Sequence, residues 1–344
     1  MANMNIRTPR FYVDIINFLM SRGISQNGNF DVLATDAGAY KMGTFTSGSE
    51  AELFDMKPLN KCTWDTSSDT DAHVMINIDT QTNSKKSFVA ILNHNMASAD
   101  AKVLIKGSDT EAHIQAVDMA SATAMGNPVE VVNADAISSS IITPATDGST
   151  IVRFDESDLR YWGIQFEGNS SNTFGSTDLF VGCILIGEYY ESMPHAPDLS
   201  VKRSIIFDKV SMQESVGGQR YSNMTSFGRQ STSTTKSPFS TAVTGQSTMG
   251  GRIAYDLNFS YLNSSDIMPT EYDVHDVAND SVVQDIWNRA NGPHIPFIFS
   301  IDKDSEGDNA ESEHIFARFG QSSLDMTQVA HDVFNVSMRI EEEF

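Results

Sequence analysis

The chain has 344 residues, 40% of them hydrophobic, and carries 45 acidic against 23 basic side chains for a formal net charge of -22. That length suits two domains of ordinary size, each with a real core. A surface this acidic repels phosphate backbones and anionic lipid, which argues against nucleic-acid and membrane binding.

The two cysteines, Cys62 and Cys183, are too few for a disulfide framework, and no Cys-x-x-Cys exists for zinc or redox work. Both are expected to be buried as small apolar residues. The apolar run at 11–20 is interrupted by Asp14 and Asn17 and lacks a small-residue cleavage site. It is also shorter than the ~20 residues that span a bilayer. Synthesis in a cytoplasm without a signal peptide is expected. Residues 1–24 read either as an N-terminal arm or as a strand plus a short helix over about 13–21, stopped by Gly23.

From 25 to 194 the signals are mainly β. Runs at 72–79, 87–95, 101–107, 151–154, 161–166 and 179–187 are separated by turn clusters such as Asp147-Gly148-Ser149 and Gly168-Asn169-Ser170-Ser171. The uninterrupted Ile184-Leu185-Ile186 predicts a strand buried on both faces. Short strands at this spacing, with few helices, predict a β-sandwich or jelly roll. Pro194 and Pro197 remove ladder donors, so a strand cannot run through them and a boundary is expected near 195. His195, between the prolines, is expected to organise that turn.

Residues 195–344 read as a β-rich domain with one packed helix. Residues 252–261 alternate cleanly, with Ile253, Tyr255, Leu257, Phe259 and Tyr261 on one face. The spacing of Val282, Val283, Ile286, Trp287 and Ala290 predicts a helix over 279–290, capped by Asn279 or Asp280 and ended by Gly292-Pro293. Strands are expected at 295–301 and 332–341. The serine- and threonine-rich stretch 222–248 favours an exposed loop or hairpin.

No catalytic constellation is complete. His-Glu-x-x-His, Gly-x-Ser-x-Gly, a Walker loop and a helix-opening Gly-x-Gly-x-x-Gly are all absent. A non-enzymatic protein is expected. Three weaker patterns remain. Asp302, Asp304, Glu306 and Asp308, with Gly307 and the distal Glu313, match the oxygen-ligand spacing of a calcium loop, although a strand and not a helix enters it. The simpler reading is an acidic hairpin loop. His94, in Leu92-Asn93-His94-Asn95, is either a ligand group at the sandwich rim or a hydrogen-bonded tie for the turn. Trp64 and Trp162 are candidates for a glycan site, where a ring stacks on the sugar and nearby Asn and Asp bond its hydroxyls. The alternative is that both fill the core. Tyr189 and Tyr190 are expected to pack between the two domains.

Two sets of residues carry a family resemblance. Phe88-Val89-Ala90-Ile91-Leu92-Asn93-His94-Asn95, Leu159-Arg160-Tyr161-Trp162-Gly163-Ile164-Gln165-Phe166 and Val181-Gly182-Cys183-Ile184-Leu185-Ile186-Gly187 resemble strands of discoidin-like (galactose-binding-like) jelly rolls. The phrase Met193-Pro194-His195-Ala196-Pro197-Asp198-Leu199-Ser200 resembles the exit from such a domain in phage tail and other virion proteins. So does the later order of helix, Pro293-His294-Ile295-Pro296-Phe297-Ile298-Phe299 strand, acidic loop and closing strand with Arg339-Ile340-Glu341-Glu342. The resemblance implies a structural subunit of a tailed-phage virion, in the tail, tail tip or baseplate region. It would be a homo-oligomer among other virion proteins, with no cofactor beyond a possible calcium ion. Stretch 222–248 is expected to reach neighbours on assembly. The alternative is a carbohydrate-binding module that recognises a host glycan. A glycan hydrolase ranks third.

Overall fold

The computed structural model describes residues 8–22, 30–33, 41–42, 44–81, 84–191, 196–207, 210–224, 239, 252–268, 281–306 and 313–343. The chain is mainly β, as the alternating runs predict. In chain order the strands that matter below are β1 (Arg10–Asp14), β2 (Ala72–Asp79), β3 (Lys86–His94), β4 (Ala101–Ser108), β5 (Val129–Val132), β6 (Gly148–Ser157), β7 (Tyr161–Gly168), β8 (Cys183–Tyr190), β9 (Lys202–Ile206), β10 (Val210–Glu214), β11 (Arg220–Met224), β12 (Arg252–Asn263), β13 (Phe297–Ser300), β14 (His314–Phe319), β15 (Met326–Ala330) and β16 (Val333–Glu342). Two helices are α1 (Ile15–Ser21) and α2 (Val282–Asn288).

The first part of the chain is a sandwich. β4, β7 and β2 lie side by side in an eight-stranded sheet, while β6, β3 and β8 belong to an eleven-stranded one. Trp162, Ile164 and Phe166 of β7 share one core with Phe88 of β3 and Ile184 of β8. β3 and β8 are apolar on both faces because both faces are covered. The run expected at 179–187 is broken at Gly182, where an added Cβ would lie 2.1 Å from the Pro58 carbonyl oxygen. Only glycine lets the chain pass that close to another backbone.

The N-terminal segment is a strand followed by a helix. β1 pairs antiparallel with β8 on one side, Phe11 opposite Tyr190 and Tyr12 opposite Tyr189. It pairs with β13 on the other, Phe11 opposite Phe299. The larger sheet therefore runs β5-β6-β3-β8-β1-β13-β14-β16-β12-β9, with β15 paired to β16, and crosses the boundary expected near 195. Pro194 and His195 themselves lie outside the described residues. All five residues of β1 are buried. Period-two alternation sends Tyr12 into the first core and Phe11 and Val13 into a second. Tyr189 packs on the first core and Tyr190 lies in the second, so both sit at the junction.

Asp14 ends β1 and caps α1. Its carboxylate accepts the backbone amide of Asn17 at 2.7 Å and that of Ile186 in β8 at 3.2 Å. Burial pushes this carboxyl up to about 6.

The second core lies against the other half of the same sheet. Ile253, Tyr255, Leu257 and Phe259 are buried as expected. The pairing of β12 with β16 shifts between Phe259 and Leu262, so Leu262 turns inward. Tyr261, expected inward, is instead exposed at a φ of 63°. A bulge re-aims side chains in this way. The helix expected over 279–290 is the shorter α2, wound as a wide π-type turn. The Asp285 carboxylate accepts the Ser281 amide at 2.6 Å. Gly292, at a φ of 60°, ends the segment, as expected. The expected caps Asn279 and Asp280 lie outside the described residues, as does most of stretch 222–248. Ser222 closes into β11 and Phe239 is buried in the first core.

At Gly187 of β8 an added Cβ would lie 2.0 Å from the Val13 carbonyl oxygen, where β1 gives way to α1. Gly187→Ala is expected to cost about 3 kcal/mol or more by prying β1 off β8. Urea unfolding monitored by circular dichroism measures this. Gly217→Ala, which meets only a Ser215 Oγ at 3.9 Å, is the near-neutral control.

Candidate functional site

The residues proposed for glycan stacking are core residues. Trp64 is fully buried against Phe45, with ring centroids 5.3 Å apart. Trp162 is buried against Phe154 at 5.2 Å and donates its Nε1–H to the Leu159 carbonyl at 3.0 Å. Neither ring has a face open to a sugar. Alternation places both indoles inward, and the sequence pattern alone did not reveal which face was covered. His94 is buried too. Its Nε2 lies 2.9 Å from the Thr150 hydroxyl, and its Nδ1 accepts the Met96 amide at 3.3 Å. Burial pushes this imidazole down to about 3, so it stays neutral and ties the turn. Cys62 and Cys183 are free and buried, as expected.

The described residues of the expected calcium loop do not converge on an ion site. Among the described residues, Asp302, Asp304, Glu306 and Glu313 form no group of three donors close enough to hold an ion, and Asp308 lies outside those residues. Asp302 instead accepts the Asp304 amide at 3.0 Å in a local turn. Glu306 reaches over the sheet junction to two guanidinium groups. Arg10 Nη1 donates at 2.9 Å and Arg153 Nε at 2.6 Å. The same Arg10, on β1, donates to Glu191 at 2.7 Å and covers the Tyr189 ring at 5.0 Å. Positive charge therefore occupies the carboxylate that a cation would need. Burial acts to raise the Glu306 carboxyl, but hydrogen bonds from Arg153 and Arg10 outweigh it and hold the group below its ordinary value.

Surface chemistry divides unevenly along the chain. Among the described residues, every large apolar side chain that is exposed falls between Leu199 and Val329. Ile205 of β9 is 65% exposed, on the terminal strand of the eleven-stranded sheet. Phe207 follows it. β10 and β11 form a two-stranded hairpin that carries exposed Met212 and Tyr221, with Val216 at its tip. Such a hairpin is marginal alone in water and is stabilised by packing against something else. Exposed apolar side chains on a strand that ends a sheet among the described residues are characteristic of interaction surfaces.

At one end of the sandwich the Arg160 guanidinium forks onto Asp79 with two bonds of 2.8 Å and lies 4.9 Å from the Tyr161 ring centroid. Gln81 donates to the same carboxylate at 2.8 Å. On the same outer face of the smaller sheet, pairing register puts His73 of β2 beside Glu167 of β7, and Glu167 beside Lys102 of β4. These residues were missed in the sequence, where they are far apart. The signal was available only as alternation, since His73, Asn77 and Asp79 share one face of their strand. Burial lowers the His73 pKa below its ordinary value, partly opposed by the nearby Glu167 carboxylate.

No family model matches the chain, and no curated protein matches it. Three solved structures show limited similarity. Chitosan-binding module 1 from a chitosanase/glucanase of Paenibacillus sp. IK-5 is 9% identical, with 46% of this chain covering 92% of that one at a TM-score of 0.26. The CBM32 of AlyQ in complex with 4,5-unsaturated mannuronic acid is 18% identical, with coverage of 46% and 96% and a TM-score of 0.26. CpGH89CBM32-6 produced by Clostridium perfringens is 13% identical, with coverage of 48% and 95% and a TM-score of 0.19. Scores this low carry no inference about the chain. Among the described residues, no helix is long and apolar enough to cross a membrane.

Glu306→Gln is expected to destabilise the fold by about 1.5 kcal/mol at neutral pH, through weakened charge-assisted bonds to Arg10 and Arg153. A carboxyl held below its ordinary value stabilises the fold above that value and loses its effect on acidification. The gap between wild type and variant should therefore narrow as pH falls through the ordinary carboxylate range. Chemical denaturation across pH 3–7 checks both the size and the direction.

Proposed function

We propose that the chain is a non-enzymatic structural subunit of a tailed-phage virion, acting in the tail, tail-tip or baseplate region by assembly with copies of itself and with other virion proteins. The observation that carries this reading is where the exposed apolar side chains fall. Among the described residues they all lie in the second part of the chain, and Ile205, Phe207, Met212, Val216 and Tyr221 belong to β9, the residue after it and the β10–β11 hairpin. An open sheet edge offers unpaired backbone donors and acceptors, and a partner strand can extend the sheet there. Ile205, Phe207 and Met212 would supply the apolar contact. The acidic exterior keeps the free subunit soluble until that edge is covered. The family resemblance of the sequence supplies the particle.

Light scattering on the purified chain should give a defined oligomer at micromolar concentration. The double variant Ile205→Asp, Phe207→Asp should be monomeric with unchanged circular dichroism. A wild-type chain that stays monomeric, and that antibodies fail to find on particles by electron microscopy, would remove the reading.

The second reading is a carbohydrate-binding sandwich presented outward from the same particle. It is favoured by the cluster of Asp79, Gln81, Arg160 and Tyr161, which places a carboxylate, an amide and a forked guanidinium beside an aromatic ring. A glycan-array signal that disappears in Tyr161→Ala without loss of thermal stability is the expected result. An array without signal sinks this second reading and leaves the first untouched.

A further inference from the structure

The segment that follows β4 crosses back over the outer face of the smaller sheet as a strap, and it is pinned there at three places. Gly163 of β7 makes room for it, since an added Cβ would lie 2.2 Å from Met119 Sδ and 3.2 Å from Ile114 Cβ. Gln165 clamps its backbone, donating to the Ala116 carbonyl at 2.7 Å and accepting the Asp118 amide at 3.0 Å. Lys106 donates to the Asp118 and Met119 carbonyls at 3.0 and 3.1 Å. Asp118 itself has a φ of 60°, a left-handed backbone that aspartate tolerates better than most residues.

The result is a convergence of three donors from three separate segments. An imidazole nitrogen of His73 on β2, a carboxylate oxygen of Glu167 on β7 and a carboxylate oxygen of Asp118 on the strap all lie within 4.8 Å of one another. His73 and Glu167 are buried, and Asp118 opens the group to solvent. Among the described residues no other set of His, Cys, Asp and Glu side chains comes together in this way. We infer that His73, Asp118 and Glu167 form a binding site for a divalent transition-metal ion of the Zn2+ type, which fastens the strap to the sheet.

The chemistry follows from the donors. One imidazole with two carboxylates suits a borderline ion such as Zn2+ or Co2+ better than the all-oxygen shell of calcium. Three protein ligands leave a fourth position for water on the exposed side. Lys102 is the competitor. Its Nζ lies 3.2 Å from Glu167 Oε1, on the side of Glu167 away from His73 in the register. Its charge opposes a second cation at the same carboxylate. The site therefore binds more weakly than its donor set alone would, and removing the Lys102 charge strengthens it. The inference stands on this face of the sheet alone and does not depend on the assembly or glycan readings.

The test uses the full chain, stripped with a chelator and titrated with ZnCl2 by calorimetry, with Co2+ absorption as a second readout. One ion per chain is expected, with a rise in melting temperature. Lys102→Met should bind several-fold more tightly. His73→Gln should bind more than about 10-fold more weakly, since even loss of a supporting partner around a metal costs that much. Asp118→Asn, a change at an exposed side chain, gives the same answer if His73→Gln fails to fold. Absence of binding in both wild type and Lys102→Met overturns the inference. Undiminished binding in Asp118→Asn overturns it as well, by placing the ion elsewhere.

Discussion

The fold depends on one buried strand. β1 has hydrogen-bonded partners on both edges, β8 from the first part of the chain and β13 from the second. Its side chains alternate between two cores, Tyr12 into one and Phe11 and Val13 into the other. Two hydrophobic clusters that a linear reading separates at residue 195 are thus opposite faces of a continuous sheet. Ile298 and Phe316 repeat the pattern, since they enter the first core from strands whose other residues build the second. A five-residue strand can do this because a pleated backbone serves both faces and both edges at once.

The polar groups at the junction follow from that arrangement. Burying Arg10 on β1 requires partners, and Tyr12, Glu191 and Glu306 supply them. Arg153 shares the Glu306 carboxylate and thereby ties the acidic loop after β13 to β6. The acidic loop is a clasp between elements, and its carboxylate at 306 is committed to cations within the chain. A buried charge left unpaired is costly, which explains why Arg10, only 5% exposed, has carboxylates on two sides.

The two ends of the larger sheet differ in kind. Toward β5 the strands line the first core, with Val131 and Val132 of β5 buried in it. Toward β9 the sheet ends, among the described residues, on a strand with Ile205 exposed, and the β10–β11 hairpin that follows in the chain pairs with no other described strand. The proposed assembly would use the second end. The strap over the outer face of the smaller sheet is a separate feature, whose position is set by the missing side chain at Gly163 and by the reach of Gln165 and Lys106.

Local pattern carried much of the fold. Apolar runs bounded by turns located β2 and β7, and alternation located β4, β12 and β16, each to within a residue or two. The uninterrupted run Ile184-Leu185-Ile186 of β8 announced burial on both faces, since a strand covered on both sides has no polar period. Composition alone predicted two buried free cysteines. Pattern could not say which strands pair. That left β1 ambiguous between arm and strand, and it let Trp64 and Trp162 stand as surface candidates when tertiary packing closes over both. Tyr261 kept the expected period and still turned outward, because a bulge is set by the partner strand and not by the residue. His73, Asp118 and Glu167 meet only through register and a crossing strap. Such contacts depend on how distant segments dock, a free-energy balance over the whole chain that no local window of sequence contains.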